Sequence, residues 1–142
     1  MKRLAFIISL LTPLLGANVH AEETGPDGLT GQALVSFVQS LQLAVKSDSP
    51  KQVAALVSFP LRVNGEAGKH RKLSAAQFEK EYAQVFTPAV KAAVLKQDPK
   101  TLFRNSSGAM IGDGQVWLAG ICADAKCAKS EVKLITVNTA GL

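Results

Sequence analysis

Histidine, cysteine, tyrosine and tryptophan are scarce in this chain: its 142 residues include 2 His, 2 Cys, 1 Tyr and 1 Trp, and aromatics make up only 6%. So few His and Cys leave no pair to complete a tetrahedral zinc site, and no metal or cofactor is expected. Cys122 and Cys127 have four residues between them, not the two of a thiol redox motif. No G-x-S-x-G segment occurs, and Ser106-Ser107-Gly108 has no plausible His partner, so serine hydrolysis is not supported. Gly112-Asp113-Gly114 lacks the lysine and the following helix of a phosphate loop. Its glycines suit a turn instead. Internal repeats and low-complexity segments are also absent.

Long apolar runs are missing too. The longest, Leu4 to Ala17, is interrupted by Ser9, Thr12, Pro13 and Gly16, and falls short of the roughly 20 residues that span a bilayer. It follows the basic Met1-Lys2-Arg3 and precedes Val19-His20-Ala21, whose small residues suit a signal peptidase. Residues 1–21 are therefore expected to be a signal peptide cleaved near Ala21. The product would be a periplasmic or secreted protein with no membrane span. Lys2 and Arg3 account for two of the 16 basic residues, leaving 14 against 11 acidic ones and a net charge of +3. Nucleic-acid binding calls for clustered cationic stripes, and this modest, dispersed charge does not supply one.

An exported chain meets an oxidising compartment, so Cys122 and Cys127 are expected to form a disulfide. The loop it closes is short, and its chain-entropy benefit is about 2 kcal/mol.

Periodicity divides the remainder into elements. Glu22 to Leu29 is expected to be a flexible leader with no core to join. Leu34, Val38, Leu41 and Val45 recur every three or four residues, which predicts a helix over 32–46. Ser49, Pro50 and Gln52 start a second, short helix over 51–57 with an S-x-x-Q capping box, and Phe59-Pro60 ends it. Leu61 to Asn64 alternates as a strand, and Asn64-Gly65 opens a hairpin loop carrying the basic run Lys69 to Lys72. Ser74 and Gln77 box a helix over 75–86. Thr87-Pro88 starts another over 88–97. Gly108 to Ile111, Gln115 to Cys122 and Val132 to Asn138 then read as strands, with the cysteines near facing ends of a C-terminal hairpin.

Helices placed mainly before a terminal sheet imply one α+β domain over 30–142, its helices packed on a bent antiparallel sheet. The order of elements resembles the nuclear-transport-factor-2-like, or cystatin-like, fold. Phe59-Pro60-Leu61-Arg62-Val63-Asn64, Tyr82-x-x-Val85-Phe86-Thr87 and the stretch from Gly108 to Trp117 are similar to a group of small exported bacterial proteins of that shape. The resemblance implies a cone with an internal pocket, and leaves isomerases, dehydratases, ligand binders and interaction domains open. It also implies that a homodimer could form through the sheet.

An enzyme of that shape needs a buried Asp, Glu or His as base. His70 lies among three cations, Asp113 lies in a turn, Glu79 and Glu81 flank a helix face, and 115–122 holds no carboxylate. No catalytic residue is therefore assigned. Tyr82, Phe86 and Trp117, with Arg62 at the mouth, are the candidates to line a pocket for a small apolar ligand; core packing is the plainer role of the aromatics. Lys69, His70, Arg71 and Lys72 are the candidates to meet a protein partner in the cell envelope, against the plainer reading of a solvated loop. The expected function is a non-enzymatic binding domain of the inhibitor or immunity type. A small apolar-ligand binder is the alternative.

Overall fold

Hydroxyl residues start each of the four α-helices in the computed structural model, which describes residues 22–140. The signal-peptide expectation lies outside the described residues. Thr30 caps α1 (Gly31–Lys46) and Ser49 caps α2 (Pro50–Ala55). Ser74 caps α3 (Ala75–Val85) and Thr87 caps α4 (Pro88–Lys96). Each side-chain oxygen accepts from a backbone N–H that the first turn leaves unpaired. The capping box closes at α3, where Gln77 accepts from the Ser74 N–H at 2.9 Å. At α2 it does not, because Gln52 Oε1 accepts instead from the Ser47 hydroxyl at 2.9 Å. The far end of α4 is held from α1: Gln42 Nε2 donates to the carbonyls of Val94 (3.0 Å) and Gln97 (2.8 Å).

Six strands follow or interleave: β1 (Val57–Asn64), β2 (His70–Leu73), β3 (Phe103–Asn105), β4 (Gly108–Ile111), β5 (Val116–Cys122) and β6 (Ser130–Asn138). They form one sheet in the order β2-β1-β6-β5-β4-β3, and the expected α+β class holds. One detail corrects the antiparallel sheet. β1 and β6 run parallel, as the long connection between them through β2, α3, α4 and β3 to β5 allows. The sheet is also open, with β2 and β3 as free edges.

Other boundaries move as well. β1 begins at Val57 and runs through the cis Phe59-Pro60 bond, so that proline lies within the strand and does not mark its start. The basic run is not a loop: His70, Arg71 and Lys72 pair with Asn64, Val63 and Arg62. Cys127 lies in the loop after β5 rather than on the facing strand; Cys122 pairs with Ser130. The disulfide itself is present, with a Cα–Cα separation of 4.7 Å. Reduction is expected to cost about 2 kcal/mol, which urea unfolding with and without reductant would measure.

The core lies between the helices and one face of the sheet. Val57, Leu134, Leu118 and Ala109 form one transverse buried row; Val63, Val137, Val116 and Ile111 form the next. Leu34, Val38 and Leu41 of α1, Phe78 and Val85 of α3, and Val90 and Val94 of α4 are buried with them. Each such side chain contributes about 1.5–3 kcal/mol by leaving water.

The leader expectation is corrected at its C-terminal end. Leu29 is buried in the core, and the Asp27 side chain is 1% exposed beneath Arg104 of β3. Arg104 donates from Nε to Asp27 Oδ2 at 2.8 Å and from Nη2 to Oδ1 at 2.5 Å. These bonds hold the Asp27 carboxyl below its ordinary pKa, against the opposing effect of burial. The unfolded carboxyl takes up its proton more readily, near pH 3.9. The stabilisation is therefore full above that value and is lost as pH falls through the lower folded value. Asp27→Asn is expected to cost about 3 kcal/mol at pH 7. In urea titrations the gap from wild type should narrow below about pH 4.

Candidate functional site: the helix-free face of the sheet

Alternation along a strand sends neighbouring side chains to opposite faces. Since Leu61 and Val63 face the helices, Arg62 and Asn64 face away. Since Val116 and Leu118 are buried, Trp117 between them is not. The pairings join these outward residues into one row across all six strands: Phe103, Met110, Trp117, Thr136, Arg62 and Lys72. At about 4.8 Å per strand spacing the row is about 24 Å long. Phe103 is 54% exposed, while Met110, Trp117 and Thr136 are half-buried. A register shift beside Trp117 adds Ile135 to the row, as the extra residue of a bulge.

Beside Trp117 lies a groove of about 400 Å³ lined by Arg62, Asn64, Ser107, Ile135, Thr136 and Asn138. Its floor is braced by side-chain amides. Arg62 Nε donates to Asn64 Oδ1 (2.9 Å), Asn64 Nδ2 to Asn138 Oδ1 (2.7 Å), and Asn138 Nδ2 to the Gly114 carbonyl (2.5 Å). Among the described residues the Nη groups of Arg62 have no hydrogen-bond partner. The ion pairs of those residues are Arg71–Glu81, Lys91–Asp48, Arg104–Asp27 and Lys133–Glu131. Arg62 and Lys72 belong to none, and these two like charges stand directly opposite each other on β1 and β2.

The structure separates the candidate pocket residues. Tyr82 and Phe86 are buried on the helix side, stacked with centroids 5.2 Å apart, whereas Trp117 and Arg62 lie on the other face. No pocket joins the four. The basic run is split only in part: Arg71 faces α3 and pairs with Glu81, and with Lys69 and His70 it lines a groove of about 470 Å³ at the β1–β2 edge, while Lys72 stands opposite Arg62. Lys69 belongs to the turn before β2. Phe103, Met110 and Ile135 are the residues that sequence reasoning missed.

Tyr82 carries a buried hydroxyl with no hydrogen-bond partner. Burial pushes its pKa up to about 12, so it stays protonated at neutral pH. An unpaired buried donor is a net cost, and Tyr82→Phe should raise stability by about 1 kcal/mol in thermal or urea unfolding. A lower stability would mean that the hydroxyl has a partner in solution.

Among the described residues no three His, Cys, Asp or Glu side chains lie close enough to hold a metal ion. No helix among them is long and apolar enough to cross a membrane. No protein family matches the chain, nor does any curated protein or solved structure.

Proposed function

We propose that this chain is a binding domain of the cell envelope that engages a protein partner through the helix-free face of its sheet, as inhibitors and immunity proteins do. One observation carries the reading. Phe103, Met110, Trp117 and Ile135 lie together on a face that no helix among the described residues covers. Apolar side chains that cluster at a partly exposed surface favour an interaction site. The export signal at 1–21, the oxidised cysteine pair and the nuclear-transport-factor-2-like relationship belong to the same proposal. Its support is the charge pattern of Met1 to Ala21, the disulfide at the end of β5, and helices packed on one face of a single sheet whose last strands run in succession.

A small ligand is the second reading, favoured by the groove of about 400 Å³ between Arg62 and Trp117. That volume lies at the lower end of the usual range for ligand sites, about 300–1,000 Å³. Affinity capture from a cross-linked envelope extract tests the main reading, with the oxidised protein and its Phe103→Asp variant as baits. Phe103 is exposed enough for the variant to keep its fold. One abundant protein held by the wild type and lost by the variant is the expected result. Equal capture by both baits would remove the face from the account.

A further inference from the structure

The proposed site has a chemical direction. One end of the row is apolar, from Phe103 to Trp117, and the other is cationic, at Arg62 and Lys72. Like charges directly opposite on neighbouring strands repel, with Cβ atoms about 5 Å apart. Both charges are exposed, and neither has an acidic partner among the described residues. Glu131 of the adjoining β6 is held by Lys133 at 3.5 Å. The two cations therefore destabilise the free protein slightly, and an anion placed between them removes that repulsion.

Resting on the proposed protein-binding role, we infer that the partner presents a carboxylate to Arg62 and Lys72 and an apolar side chain to Trp117 and Met110. Arg62 and Trp117 are two strand spacings apart, about 10 Å. Positions i and i+7 of a helix lie about 10.5 Å apart along its axis and match that interval. The groove lies between these two anchors, where its amides can meet polar backbone or side-chain groups.

Two other occupants fit less well. A second copy of the chain would bring Arg62 and Lys72 of both copies into one interface without adding a carboxylate to the row, leaving buried charges unpaired. An anionic membrane surface calls for clusters of about 4–8 cations, and this face offers two beside a concave, amide-lined groove.

The test pans a library of displayed 16-residue peptides on the oxidised protein, exported with its own leader. Binding is then followed through Trp117, the only tryptophan of the chain. Enriched peptides are expected to carry Asp or Glu about seven positions from a bulky apolar residue. They should bind at least tenfold more weakly to Arg62→Glu and Lys72→Glu, and equally well to Lys51→Glu on α2. The same Lys72→Glu protein should melt no lower than wild type, since it loses a repulsive pair; a purely structural role would lower it.

Peptides that bind this face but lack a carboxylate, or ignore Arg62→Glu, would overturn the inference and leave the face as the site. Peptides indifferent to Phe103→Asp and Met110→Asp would remove the face itself. The absence of any enriched peptide would overturn the acidic-segment assignment. So would sedimentation as a dimer abolished by Phe103→Asp, or flotation with vesicles of 7:3 neutral to anionic phospholipid.

Discussion

Phe78→Ala should lower the stability of the folded chain by about 4 kcal/mol, the largest loss expected from any single truncation here. Phe78 lies at the centre of the aromatic cluster. Its ring meets Phe59, Tyr82 and Phe86 edge to face at 5.7, 5.8 and 6.0 Å, and its side chain is fully buried. Removal would forfeit the transfer energy of the ring, leave a cavity and end three favourable ring contacts. The neighbours cannot close the gap easily, because Phe59 is fixed in β1, Tyr82 lies one turn further along α3 and Phe86 is its C-cap. A domain is stable by about 5–15 kcal/mol in total, so this variant would approach the threshold for folding. Urea unfolding at neutral pH measures the effect. A loss below about 1 kcal/mol would mean that the cluster is loosely packed.

Gly108→Ala should cost about 3 kcal/mol for a different reason. Gly108 has φ of 135°, a conformation that L side chains rarely adopt. A Cβ there would also lie 2.1 Å from the Leu118 carbonyl oxygen. That oxygen belongs to the backbone of β5 and cannot turn aside as a side chain can. The substitution therefore adds backbone strain to a clash between adjacent strands. Gly120→Ala provides the contrast: its nearest neighbour is the Leu29 side chain at 3.0 Å, which can shift. Its cost should be well under half that of Gly108→Ala. Equal losses for the two variants in thermal unfolding would contradict this account of the β4–β5 pairing.

The elements that could be read from the chain are those whose local signals agree with their packing. In α1 the spacing of Leu34, Val38, Leu41 and Val45 coincides with their burial, and Thr30 supplies the cap. In α3 the capping box and the Phe78–Tyr82–Val85 face do the same. β2 was missed because His70, Arg71 and Lys72 have the composition of a loop; only pairing with β1 makes them a strand. β3 has three residues, too few for periodicity to register. The capping residues near Ser49 suggested a box, but competition from Ser47 for Gln52 is a contact two residues outside that motif.

The site was only partly legible. Arg62 between Leu61 and Val63, and Trp117 between Val116 and Leu118, are outward-facing by alternation alone. Grouping Trp117 with Tyr82 and Phe86 required a pocket on the opposite side of the sheet. Phe103 and Met110 join the row only through register, which depends on the β3–β4 turn and the Trp117 bulge. Local sequence carries little information about either. The repulsive Arg62–Lys72 pair is invisible until β2 is known to be a strand.

The most direct measurement is photo-crosslinking in an envelope preparation. A benzophenone side chain would be placed at Phe103 or Ile135 on the helix-free face, and at Leu43 or Lys100 elsewhere. Leu43 is 69% exposed on α1 and serves as an equally accessible control. One discrete adduct from Phe103 and Ile135, absent from Leu43 and Lys100, is the result expected of a protein-binding sheet face. Adducts formed only from Leu43 or Lys100, or none from the sheet positions, would contradict it.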